Sequence, residues 1–211
     1  MGSQVRFGAH KLNRVAVAKA GARVARRHGV DGVTMRSVAA VLGVTPMALY
    51  GYVDSSDALR RAAVDSALQL VQSPPCDGTV EARLRSWAHA ARRGFRAHPD
   101  LAAVCLTDWP ELREGCRIME SLLSVAADHT PRGADQVAVA NAVFVYVVTR
   151  AIAERAVLAR GKVRAIPAVE AEPRRFPRLA KVQSQFRAID TDRHFEIGLE
   201  ALLDGLLTSK A

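Results

Sequence analysis

VTMRSVAAVLGVTPMALYGYV, residues 33–53, is the stretch whose reading decides the fold. Thr34 can cap a helix, and Met35, Val38, Ala39 and Leu42 follow it at i, i+3, i+4, i+7 spacing, which lays one apolar stripe along a short helix. Gly43 ends that helix, because glycine accepts the left-handed conformation a helix exit often needs. Two residues later Thr45 is a second cap and Pro46 takes the first helical position, where its missing N–H costs nothing. The second helix is about one and a half turns long and carries Met47, Ala48, Leu49 and Tyr50. A helix that short must be held by its neighbours. Two short helices joined by a tight turn are a device for placing the second helix in the major groove of DNA.

The charge distribution agrees with that reading. The chain of 211 residues carries a formal net charge of +9. Residues 1–53 hold eight Arg and Lys (Arg6, Lys11, Arg14, Lys19, Arg23, Arg26, Arg27, Arg36) against one acid, Asp31, hence +7. Neutralising phosphates releases condensed counterions, so this segment favours a polyanion and a strong salt dependence. With 49% hydrophobic residues the chain is globular rather than disordered. The longest uninterrupted apolar run, residues 142–148, falls short of the ~20 residues a bilayer-spanning helix needs. The N-terminus lacks an apolar signal core, and Cys76, Cys105 and Cys116 are odd in number without metal-ligand spacing. A cytoplasmic protein with reduced thiols and no metal or cofactor is the expectation.

Outward from the motif the pattern is helical throughout, with no strand signal and no internal repeat, so the expected fold class is all-α. A first helix runs over about 13–28, with Leu12, Val15, Ala18, Ala22 and Ala25 as its buried stripe and Arg23, Arg26 and Arg27 off it. Ser55 or Ser56 caps a fourth helix that continues towards Gln72, and Ser73 to Gly78, with Pro74-Pro75, reads as a connector. The expected division is a DNA-binding domain over 1–65 and a ligand-binding and dimerisation domain over 66–211. In the latter, Thr79 caps a helix with Leu84, Trp87, Ala88, Ala91 and Phe95 on one side. A short apolar helix over 101–106 follows, then one opened by Trp109-Pro110 and reaching Ala127. Residues 134–160 form the most hydrophobic helix. Residues 161–181, with Pro167, Pro173 and Pro177, read as a long loop, and a last helix spans about 192–207.

In these residues the chain resembles the TetR/AcrR family of transcriptional repressors. The matching stretches are residues 29–39 (GVDGVTMRSVA), 42–50 (LGVTPMALY), Tyr52-Val53 and Asp57-Ala-Leu59. The C-terminal FEIGLEALLDGL, residues 195–206, and Asn13-Arg14 after Leu12 are similar to the branch of the tetracycline repressor. The resemblance implies a helical homodimer that binds a palindromic operator and leaves it when a small molecule enters the C-terminal domain. It implies DNA contacts from Thr34 and Arg36, from Thr45, Pro46, Met47, Ala48, Tyr50 and Tyr52, and from Ser56, where many members carry a phosphate-binding lysine. Gly51 likewise stands where many carry a basic residue. Lys11 and Arg14, with Arg23, Arg26 and Arg27, are candidates for phosphate positioning. Pro46, Met47 and Ala48 have no hydrogen-bonding side chain, so a base contact there is apolar, most naturally with thymine methyls, and Arg36 is the candidate for guanine.

Trp87, Phe95, Cys105, Trp109, Met119, Phe144 and Tyr146, with His98, His89 and Glu111 as polar options, are the candidate lining of an effector cavity, most simply for a largely apolar molecule. The bland alternative for each is ordinary core. In the tetracycline repressor a histidine on the short helix holds the drug's magnesium. Cys105 falls at that place, and a thiol is a poor ligand for a hard cation, so a tetracycline–magnesium effector is not expected. An enzyme using His98 and Cys105 lacks an oxyanion hole and an orienting group at recognisable spacing. A purely architectural DNA binder would have no need of the C-terminal aromatic set.

Overall fold

The computed structural model describes residues 12–130, 132–160, 166–187 and 191–208. Eleven α-helices appear among them: α1 (Arg14–His28), α2 (Met35–Leu42), α3 (Pro46–Leu49), α4 (Ser56–Leu68), α5 (Val80–Ala97), α6 (Pro99–Asp108), α7 (Arg113–Ala127), α8 (Gly133–Arg160), α9 (Pro167–Ala171), α10 (Pro177–Arg187) and α11 (Thr191–Thr208). Single 3-10 turns lie at Val30–Gly32 and Trp109–Glu111, and the described residues contain no strand. The all-α expectation holds.

The caps read from sequence are the caps the structure uses. Asn13 Oδ1 accepts the Ala16 N–H at 2.8 Å to start α1, and Thr34 and Ser37 form a reciprocal capping box at the head of α2. Gly43 has φ +70° and closes α2 with its N–H directed to the carbonyls of Ala39 and Ala40. Ser55, rather than Ser56, caps α4, accepting the Ala58 N–H at 3.1 Å. Thr79 does the same for α5.

Three expectations need correction. Of the expected stripe Ala22 and Ala25 are buried, Leu12 and Ala18 are partly so and Val15 is 61% exposed; the buried face of α1 runs through Val17, Ala20, Gly21, Ala22, Val24 and Ala25. That face is the one that packs on α4. Residues 161–181 do not form one long loop. Pro167 and Pro177 each open a helix, because proline is compatible with the first turn and disruptive only further in. Residues 161–165 lie outside the described residues. Finally, Gly133–Val157 is long and apolar enough by length and composition to cross a membrane. Counting only the unbroken run 142–148 missed this, because Asn141 and Thr149 interrupt the run without greatly lowering the mean hydropathy. In this fold the helix buries Val139, Val143, Phe144, Val147, Val148 and Ala151 and packs on α5 and α11.

The chain divides into two compact units that do not follow its linear order. One runs up to Gln72 and takes in Asp100–Ile118; the other joins Ser73–Pro99 to the described residues from Met119 onward. In the first, α1 lies against α4 so closely that a Cβ on Gly21 would stand 2.6 Å from Ala63 Cβ. Asp65 of α4 accepts the Glu114 N–H at 2.7 Å, capping the start of α7, and Arg117 donates to the Val71 carbonyl at 2.6 Å. Cys105 on α6 is fully buried, and burial pushes its thiol up to about 12.

The second unit is centred on α5, α8 and α11. Arg92 of α5 is buried and donates through Nε to both oxygens of the buried Glu154 of α8, each at 3.1 Å. The same guanidinium donates to Asp192 at 2.7 Å and to the Thr191 carbonyl, and stacks 4.3 Å over the Phe195 ring of α11. Burial alone would lower the Arg92 pKa, but its hydrogen bonds to Glu154 and Asp192 outweigh that and raise it; the Arg92 hydrogen bond in turn lowers that of Asp192. Tyr146 of α8 donates to the Phe195 carbonyl at 2.8 Å, so the three helices share one polar seam inside an apolar core.

Two outcomes follow. Gly21→Val forces α1 away from α4 and costs about 1–3 kcal/mol, seen as a lower Tm by circular dichroism. Under native conditions a thiol reagent such as dithiobis-nitrobenzoate modifies the exposed Cys76 and Cys116 promptly, and Cys105 only on unfolding.

Candidate nucleic-acid interface

The recognition segment is α3 with its flanks. Thr45 Oγ1 accepts the Ala48 N–H at 3.4 Å, Pro46 opens the helix, and Leu49 is its single buried residue, with no exposed surface. The chain leaves through Tyr52 and Val53, whose N–H groups both return to the Leu49 carbonyl, at 2.9 and 3.0 Å. Leu49 and Val53 therefore anchor the segment on the side facing the protein. Everything else on α3 faces outward: Thr45, Pro46 and Ala48 are exposed, Met47 is 77% exposed and Tyr50 52% exposed. Tyr52 is half-buried.

From α2, Thr34 and Arg36 are exposed while Met35, Val38 and Ala39 are buried. Ser56 is half-buried in the first turn of α4, and Arg14 is exposed in the first turn of α1. Lys11 lies outside the described residues. Exposed apolar groups on a tightly capped helix, with a cation on the preceding helix, form a surface with little to offer water and much to offer a groove.

The aromatic set read from sequence does not stay together. Trp87 and Phe95 on α5, Met119 on α7, and Phe144 and Tyr146 on α8 belong to one compact unit, as does His98, the residue that ends α5. Cys105 on α6 and Trp109 belong to the other. Trp87, Phe95 and Phe144 are almost wholly buried, Met119 is 7% exposed, and the Tyr146 hydroxyl is already engaged by Phe195. Burial also raises the Tyr146 pKa. The two further polar options have structural partners: His89 Nε2 stands 3.5 Å from a Glu196 carboxylate oxygen and Glu111 3.7 Å from Arg61. Trp87 keeps one unmet need. Its indole N–H is buried and has no acceptor among the described residues.

Sequence reading missed the Arg92–Glu154 pair. The signal was a charged residue inside an apolar helical stripe on two helices: Arg92 three residues before Phe95, and Glu154 three after Ala151.

Residues 17–63 match the family described as bacterial regulatory proteins, tetR family, and residues 74–209 the tetracyclin repressor-like C-terminal domain. Over 208 residues the chain is 30% identical to the HTH-type transcriptional repressor DrrR1 of Streptomyces coeruleorubidus, covering 90% of this chain and 75% of that one. Among solved structures, ActR of Streptomyces coelicolor in complex with (S)-DNPA superposes with a TM-score of 0.76 at 22% identity, over 95% of this chain and 99% of ActR. BioQ bound to its double-stranded DNA operator superposes with a TM-score of 0.67 at 24% identity, over 94% and 99%. At those identities the two structures speak for the fold. With both parts of the sequence matched, the chain belongs to the TetR family and is a ligand-responsive transcriptional repressor that binds DNA as a dimer.

Proposed function

We propose that two copies of α3 enter successive major grooves of a palindromic operator. Met47 and Ala48, with Pro46, pack on thymine methyls, Arg36 pairs with guanine, and Thr34, Thr45, Tyr50, Tyr52 and Ser56 hold the flanking backbone. Lys11 and Arg14 add phosphate contacts. The observation that carries this assignment is the outward row of exposed residues, Thr34, Arg36, Thr45, Pro46, Met47, Ala48 and Tyr50, on a motif whose buried side is formed by Met35, Val38, Ala39, Leu49 and Val53.

Dimerisation is assigned to the free faces of α8 and α11. Val137 and Val145 on α8 are 57% and 36% exposed, Asn141 and Thr149 share their face, and Ile197 on α11 is 54% exposed beside Ala201 and Gly205. These mostly small and apolar faces suit a twofold four-helix contact. Residues 1–65 then act as the reading head and 66–211 as the effector and pairing part. Asp100–Ile118 couple them, since they pack with the head while belonging to the C-terminal sequence.

The effector is assigned to the unit holding Trp87, Phe95, Met119 and Phe144, as a largely apolar molecule with at least one hydrogen-bond acceptor for the Trp87 indole N–H. Its binding shifts operator affinity only through unequal affinity for the two states. ActR is described bound to actinorhodin, which makes that compound the first probe.

Arg36→Ala weakens binding to a shifted genomic duplex by about 1–3 kcal/mol in a gel-shift titration; an unchanged affinity would remove Arg36 from the interface. Trp87→Phe keeps the fold and weakens, by roughly tenfold in a calorimetric titration, any effector whose quenching of tryptophan fluorescence persists in Trp109→Phe, the loss of one buried hydrogen bond. If a ligand that quenches Trp87 leaves operator affinity untouched, the coupling does not exist for that ligand.

A further inference from the structure

Lys19, Arg23 and Arg26 stand four and three residues apart on α1 and line a cleft of about 390 Å³ whose other wall comes from the end of α4 and the residues just after it. Cations at this spacing on a helix repel one another unless something neutralises them. α1 contains no carboxylate and residues 66–70 contain none, while Asp65, just before them, accepts the Glu114 N–H and is in no ion pair with these cations among the described residues. Among the described residues none of the three is in an ion pair, whereas Arg60, Arg83, Arg92 and Arg117 all are. The opposite wall adds the Ser66 hydroxyl and the Gln69 amide, both able to donate to an anion, and Leu70 with the buried Ala67 supplies an apolar side.

A cleft of this volume lies within the range of small-ligand sites. A duplex presents its phosphates along a convex ridge, which exposed termini such as Arg14 can meet; a recess lined by three cations and two neutral donors suits a compact anion that can enter it. The lining shares no residue with the row from Thr34 to Tyr52. We propose that the α1–α4 cleft is a second ligand site, taking a small, multiply charged anion of the phosphate class between Lys19, Arg23 and Arg26 on one side and Ser66 and Gln69 on the other. An occupant touching both helices ties together the pair on which the reading head is built, so it raises the head's thermal stability by mass action.

The test titrates the full-length protein with pyrophosphate by calorimetry, in buffer free of phosphate and sulfate, alongside thermal melts. Saturable binding at one site per chain, with a rise in Tm, is expected. Arg23→Gln should weaken that binding at least tenfold and abolish the rise, while Arg23→Lys retains most of it and Arg27→Gln, exposed on the same helix but outside the cleft, leaves it unchanged. Far-ultraviolet circular dichroism of each variant should match wild type; a loss of helix in Arg23→Gln is handled by repeating the titration with Gln69→Ala, which must also weaken it. Absence of saturable binding overturns the proposal, as does equal weakening in Arg27→Gln, which would make the attraction diffuse. So does a pyrophosphate-inert protein in which Arg23→Gln weakens duplex binding and reduces its salt dependence, since the cations would then belong to the DNA backbone.

Discussion

Four residues of helix have no stability of their own, and nearly every feature of the head can be understood as holding α3 in place. Nucleation costs more than one or two hydrogen bonds return. Thr45 supplies one capping bond, Pro46 arrives with its φ already set, and Leu49 is driven fully into the core. Tyr52 and Val53 then close back onto the Leu49 carbonyl, so the segment is tied at both ends around one buried side chain. Because the whole apolar anchor is a single leucine, the other positions of α3 are released from packing. They can be chosen for what they meet outside.

α3 rests on α2, α2 on α1, and α1 on α4, and the α1–α4 pair is extended by a segment from far along the chain. Asp65 caps α7 through the Glu114 N–H, Arg117 holds the Val71 carbonyl, and Arg61 faces Glu111. Each contact joins α4, or the turn after it, to residues 109–117. The continuous helix α7 begins within this unit, at Arg113, and its residues from Met119 onward belong to the other. Under the proposed function, a ligand that favours a different position of α7 would reach α4 through contacts already made, given two arrangements with unequal ligand affinity.

The parts of this architecture encoded locally were legible, and those encoded by distant partners were not. Thr34, Gly43, Thr45 and Pro46 act through hydrogen bonds and backbone angles within three or four residues of themselves, so residue type and spacing settled α2 and α3. The same local logic misled at Pro167 and Pro177, since proline ends one helix and opens another and sequence alone does not say which. The turn at Trp109–Glu111, which separates α6 from α7, was read as the opening of the later helix; its break comes at Leu112, whose extended backbone carries no sequence signature. Asp65 and Glu114 lie 49 residues apart, and Arg92 and Glu154 lie 62 apart. No periodicity links such pairs, and the packing of residues 100–118 with the first unit involves contacts of this long-range kind, Asp65 with Glu114 and Arg117 with Val71. The aromatic set divided between units for the same reason: composition identified large groups on neighbouring helices without saying which side each helix turned to which partner.

The chain uses arginine in two opposite ways, and the contrast bears on how it works. In the second unit Arg92, Arg96 and Arg150 converge on Glu154, with Asp192 closing the cluster, and Glu154 is almost completely removed from solvent. Removing one partner of such a buried pair strands a charge, typically at a cost of about 3–5 kcal/mol, so the cluster fixes the register of α5, α8 and α11 more than it adds net stability. In the head, Arg14, Lys19, Arg23, Arg26, Arg27 and Arg36 are exposed, and among the described residues none is in an ion pair. Exposed charges of one sign are screened over a Debye length of about 8 Å at physiological salt, whereas buried pairs are screened far less. The force by which the head holds a polyanion is therefore tuned by ionic strength, whereas the buried Arg92–Glu154 pair that joins α5 to α8 is far less sensitive to it.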